Sequence, residues 1–249
     1  MSEIQMNLVN EEAVYEQPGF LKRILWVFTS PGKLMASLAE KPRILFALIL
    51  SAISMDALYL LRMPLYMDML RTQALAQAGL SESLTGKATT PAMIEQTLPM
   101  SAKIGIISVP FSMLFMWLFI TLVFFAILKI MGGQGKFKAY MSVTGYAYVI
   151  TAAYILLILI VSFFTGRFMI DPSLTSLATL VSADSVGTVG YSLLKSLDIF
   201  SIWHYVVMAI GLAAVSKLKK RNVYMVVGII FLIGIIISVA GASVLHNLA

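Results

Sequence analysis

Five apolar stretches, each about as long as a bilayer is thick, constrain this chain more than any motif in it. Residues 104–128, 139–166 and 222–245 carry no charged side chain. Residues 43–61 hold one intramembrane acid, Asp56, and Ile199–Ser216 holds one histidine, His204. A helix needs about 20 predominantly apolar residues to cross the hydrocarbon core. Lipid leaves unpaired backbone groups no water to bind, which favours helices as the spanning form. The expected fold class is therefore all-α: a polytopic membrane protein with five transmembrane helices near 43–62, 104–128, 139–164, 198–216 and 222–245. Composition agrees, because 12% of the residues are charged, about half the share of a soluble domain.

The charges are unevenly placed. Of the 18 Lys and Arg, twelve fall in the N-terminal segment and the second and fourth connections; six are spread over the two longer loops on the other side. The positive-inside bias puts the N-terminus in the cytoplasm and, with five crossings, the C-terminus outside. The net charge of +6 thus reads as membrane topology and not as a nucleic-acid footprint. Residues 1–19 are polar and acidic and lack the pattern of a secretory signal, which suits a cytoplasmic tail. The chain has no cysteine, so disulfides, thiolate nucleophiles and cysteine metal sites are excluded.

Residues 20–42 read as two short interfacial helices on the cytoplasmic side. Phe20, Leu21, Ile24, Leu25 and Phe28 share a face, with Lys22 and Arg23 elsewhere on the wheel; Ser30 and Pro31 offer an N-cap and first residue for the next helix, and Pro42 leads into the first span. The face can lie on the headgroups or pack across the bundle. In the first outer loop, Met67, Leu70, Ala74, Leu75 and Ala78 predict a short helix stopped by Gly79, and Thr90-Pro91 predicts a second. Asp171-Pro172 opens a third, in the other outer loop. Tyr59, Tyr66, Tyr140, Phe163, Phe164, Phe168 and Tyr224 fall near span ends, as an aromatic belt does. Gly228, Gly234 and Gly241 would let the fifth span pack closely. The cluster Lys217, Lys219, Lys220 and Arg221 would meet anionic lipids at the cytoplasmic face.

Asp56 is the residue that most needs a reason. A carboxylate within a span normally faces protein or water. Asp56 lies six residues before Arg62, about 9 Å along the axis, and His204 lies equally deep below Asp198. Two arrangements are open: an Asp56–His204 hydrogen bond, as a proton-linked or ligand-binding site or as a structural pair, or an Asp56 bonded to Ser, Thr or backbone groups within the packed bundle. Asp198, at the start of its span, reads as a helix cap. With two histidines, far apart, the chain offers no zinc-protease motif; it also lacks a nucleophile elbow and a Walker phosphate loop. No cofactor or metal is expected.

Three segments carry a resemblance. Phe28-x-x-Pro31 is followed by Leu38 and Lys41-Pro42; Gly132-Gly133-x-Gly135-x-Phe137 leads to Gly145-Tyr146-Ala147; and Asp198-x-Phe200-x-x-Trp203 precedes Gly211-Leu212. In this order and spacing the chain resembles the YIP domain family of five-span membrane proteins, in particular its bacterial members. The resemblance makes Pro31, Pro42, Gly133, Gly135, Tyr146, Trp203 and Gly211 structural motif positions. It implies a non-enzymatic protein of the bacterial inner membrane, an accessory or adaptor factor in membrane transport, envelope stress or membrane organisation. The implied partners are other membrane proteins, an ABC-type exporter among them. The chain lacks the proline-rich arm and the Asp-Leu-Tyr-Gly-type signature of the eukaryotic branch, so small-GTPase binding is not implied. The alternative is a small transporter or channel-like protein using Asp56 and His204.

Overall fold

A computed structural model describes residues 19–86, 88–168, 174–181 and 188–248, apart from the side chains of Leu80, Leu84 and residues 242–248. The acidic tail 1–18 and the expected helix start at Asp171-Pro172 lie outside the described residues. The elements are α1 (Phe20–Thr29), α2 (Pro31–Glu40), α3 (Leu45–Leu61), α4 (Met63–Thr85), α5 (Pro91–Ile130), α6 (Phe137–Thr165), a 3-10 turn (Leu177–Leu180), α7 (Val189–Ser196), α8 (Ile199–Ser216) and α9 (Lys220–Leu248). No strand occurs among the described residues, and the chain is all-helical with an isolated bridge between Ser176 and Asp198.

Helix α6 is the centre, packed by α3, α5 and α8 along its length and by α2 at its start. Small and hydroxylated residues make this possible: Ser142, Thr144, Gly145, Ala147 and Ala152 are all buried on it. Between helices in lipid, association rests on close packing and hydrogen bonds. Both are present here. Trp117 Nε1 donates to Thr144 Oγ1 at 3.1 Å, and the Thr121 and Thr144 hydroxyls are 2.7 Å apart, all buried. Ser142 Oγ accepts from Arg43 N at 2.9 Å, and Arg62 Nη2 donates to Ser162 O at 2.7 Å. These two ties, at opposite ends of α6, set α3 parallel to it.

The outer helices meet little protein. Helix α9 is little covered by protein, with Ile229, Leu232, Ile236 and Ile237 exposed. A side of bare isoleucines and leucines needs lipid to cover it. Among the described residues, four helices are long and apolar enough to cross a membrane: α5, α6, α8 and α9 through Gly241. The first expected span differs. Helix α3 has 17 residues, about 25 Å, and the chain bends by 88° into α4. There is a fifth crossing only if both members of that bent pair form one span.

Two further expectations are corrected at this end. Gly79 does not stop its helix: α4 runs through it to Gly86, whose φ of +69° terminates the run. Gly79 has open space around it, and an exposed interior glycine costs only about 1 kcal/mol. Thr90 does cap, accepting from Met93 N, but the helix it opens is not short; it continues through Pro99 and Pro110 as the 40-residue α5. At about 60 Å it is twice the thickness of the hydrocarbon core. Its first turns therefore stand clear of the core, alongside α4. Arg71 joins the two, bonded to Glu95 on α5 and Asp68 on α4. The Arg71 hydrogen bond holds the Glu95 carboxyl below its ordinary range. Tyr59 and Tyr66 stack at 4.2 Å across the bend.

Helix α1 lies with its apolar face outward. Leu21, Leu25 and Phe28 are exposed while Arg23 and Val27 are buried. Helix α2 instead packs across the bundle end, burying Leu34, Met35 and Leu38. Ser30 sits at its N-cap without a side-chain bond, and Pro31 is its first residue. The aromatic belt is only partial. Phe163, Phe164 and Tyr224 are exposed, whereas Tyr59, Tyr66 and Tyr140 are buried packing residues. Gly228, Gly234 and Gly241 meet nothing within 4 Å, so close packing does not use them within this chain.

Candidate polar site between α6 and α8

His204 is buried where α8 runs antiparallel to α6. Its Nδ1 lies 3.0 Å from Ala147 O and 3.5 Å from Thr151 Oγ1. A carbonyl only accepts, so the proton is assigned to Nδ1. The ring meets Tyr148 and Tyr205 edge-on, at 4.9 and 5.5 Å. Next to it is a cavity of about 160 Å³ whose walls include Thr151, Tyr154, Asp198, Ser201 and His204. That volume suits a few waters and falls below the range of small-molecule sites, about 300–1,000 Å³.

Asp198 is a cap, as expected. Its Oδ1 accepts from Ser201 N at 2.9 Å, and its Oδ2 accepts the Thr175 hydroxyl. Oδ1 thus caps α8 and Oδ2 ties its start to the preceding loop. His204 and Asp198 share one cavity; Asp56 does not line it. Asp56 sits on α3, its Oδ1 buried without a hydrogen-bond partner. No Asp56–His204 bond is formed: α3 and α8 each pack chiefly against α6, and the imidazole bonds the Ala147 carbonyl on that helix. No group of three His, Asp or Glu able to hold a metal is found among the described residues.

The glycine and proline positions shape the opposite, lysine-rich end. Gly133 N donates to Leu128 O, and Gln134 N to Ser216 O, both at 2.8 Å, which ties the α5–α6 link to the end of α8. Gly135 (φ +83°) lies so close to Val215 that a Cβ would meet it at 2.7 Å. Pro42, Gly135, Lys136, Lys138 and Lys217 line a cleft of about 730 Å³ there, with Glu40. Trp203 packs against the core from α8. At Gly211, α8 comes close enough to α6 and α2 to exclude a side chain. Tyr146 is fully buried with its hydroxyl unpaired, and so is the Nε of Arg23. The helical wheel places Arg23 only off the apolar face of α1; the signal for its burial is its position one turn before Val27, on the side away from the exposed Leu21 and Leu25.

A family profile described as the Yip1 domain matches residues 26–241. The chain is also 32% identical over 131 residues to "Membrane protein YknW" of Bacillus subtilis (strain 168), an alignment covering 49% of this chain and 54% of that protein. The chain thus matches about half the length of this relative. No solved structure matches. With the profile spanning the chain from α1 to α9, this multi-pass membrane protein belongs to the Yip1 domain family.

Proposed function

We propose that this Yip1-family chain is a non-enzymatic accessory protein that docks other membrane proteins through the hairpin of α4 and the start of α5. In this reading it crosses the bacterial plasma membrane five times, with its N-terminus cytoplasmic and its C-terminus outside, as the distribution of Lys and Arg favours. The observation that carries the proposal is the continuity of α5 from the hairpin into the bundle. A partner held at the hairpin is thereby joined to the membrane domain by one continuous helix. The hairpin also exposes Leu75, Met93 and Met100, and methionine suits adaptable contact surfaces. An ABC-type exporter is one partner class within this reading. The second reading, a small transporter or channel-like protein, rests on the His204 cavity; it is weakened by the distance-independent fact that Asp56 and His204 share no bond.

The test is co-purification in mild detergent. Leu75→Asp with Met93→Asp should reduce recovery of the protein's membrane partners at least tenfold at unchanged abundance. Asp56→Asn and His204→Ala should leave recovery within twofold. If the hairpin variant keeps its partners while His204→Ala abolishes activity in cells at normal abundance, the transport reading replaces this one.

A further inference from the structure

A second cleft, of about 660 Å³, opens beside α1 where α3 and α6 begin. Three cations reach it, Arg23, Arg43 and Lys138, and its other walls are apolar, among them Phe46, Leu48 and Trp117. Arg23 is 92% buried by the complement of its 8% exposure, and its Nε has no hydrogen-bond partner. No ion pair to Arg23, Arg43 or Lys138 occurs among the described residues. The Tyr146 hydroxyl, also buried and unpaired, lies within electrostatic reach of Arg23 and Arg43.

Burying an arginine donor without an acceptor is unfavourable, and a charged one more so. The arrangement calls for an anion with several acceptor oxygens, which a guanidinium recognises well. The surroundings narrow the choice. The cleft lies where spans begin, and exposed Leu45 is among its walls, so one side of it is cationic and the other suits an acyl chain. We propose that this cleft binds the phosphate headgroup of an anionic phospholipid, with Arg23, Arg43 and Lys138 on the phosphate and the chain laid against Phe46 and Leu48. This site is separate from the Lys217–Arg221 cluster, and it requires neither the hairpin docking reading nor a given orientation.

Trp117 borders the cleft and supplies the readout. With Trp26→Phe and Trp203→Phe, it is the one remaining tryptophan of three. The purified full chain in detergent would be titrated with phosphatidylglycerol or phosphatidylcholine carrying brominated acyl chains, and Trp117 quenching followed. Phosphatidylglycerol should quench at concentrations at least tenfold lower than phosphatidylcholine. Arg43→Gln with Lys138→Ala, both exposed positions, should remove most of that preference with the thermal midpoint unchanged, while Lys219→Ala with Lys220→Ala should keep it. Equal quenching by the two lipids would overturn the proposal, as would a preference that survives Arg43→Gln with Lys138→Ala. Displacement of phosphatidylglycerol by millimolar inorganic phosphate would also overturn it, by showing a free-anion site instead.

Discussion

Replacing Gly211 with leucine is expected to remove most of the folded protein from the membrane. A single added Cβ would stand 2.8 Å from Val143 Cβ on α6 and 2.9 Å from Met35 Sδ on α2. Met35 has flexible bonds and can give; Val143 Cβ is fixed to the backbone of the central helix and cannot. Even Gly211→Ala should therefore force α8 outward, at a cost of about 1–3 kcal/mol typical of overpacking. Leucine adds three further carbons to the same place. Since folded proteins hold only about 5–15 kcal/mol in all, its loss of thermal stability in detergent should be large. Gly234→Ala is the matched control. It meets nothing within 4 Å, so the gain in helix propensity, about 1 kcal/mol at most, is the only effect expected. Equal midpoints for Gly211→Leu and the parent protein would mean that α6 and α8 do not approach as described.

Gly135→Val should be nearly as damaging, for two reasons that can be separated. The φ of +83° is a left-handed conformation that costs a branched residue about 1–3 kcal/mol. The new side chain would also strike Val215, whose Cγ1 and carbonyl oxygen lie 2.7 and 2.8 Å from the Cβ position. Gly132 has a similar φ, +86°, with open space around it. Gly132→Ala should thus show the backbone cost alone, and Gly135→Ala that cost plus the clash. If the two alanine variants unfold at the same temperature, the link does not press against α8.

How much of this was legible in the sequence follows from what each residue depends on. Residues whose role is local could be read: Pro31 as a first helical residue, Thr90 and Asp198 as caps, and glycines turning the chain at 132–135. Apolar length likewise located the four described helices long and apolar enough to cross a membrane, because lipid imposes one requirement on all of them. What failed was tertiary. Gly79 and Gly86 are alike in sequence, and only the second has a positive φ. Thr90-Pro91 predicts only a short helix, but the helix runs on through Pro99 and Pro110, which a long helix with lipid and neighbours around it tolerates. An Asp56–His204 pair rests on equal depth alone, whereas the partner found for His204 is a backbone carbonyl, invisible to any composition argument. Tyr59 and Tyr140 sit at span ends, yet protein covers them where lipid was expected. Arg23 was the largest omission, since a helical wheel ranks arginine outward unless something inside the bundle needs it.

The absence of cysteine makes the central claim, a bundle crossing the membrane five times with its lysine-rich end inside, directly measurable. Single cysteines would be placed at Thr89→Cys in the α4–α5 link, at Lys219→Cys between α8 and α9, and after Ala249. Each would be exposed to a membrane-impermeant maleimide in intact spheroplasts. The account predicts labelling of Thr89→Cys and of the added C-terminal cysteine in intact cells, and of Lys219→Cys only after permeabilisation. Labelling of Lys219→Cys in intact cells, or a C-terminal cysteine protected alongside it, would contradict the account.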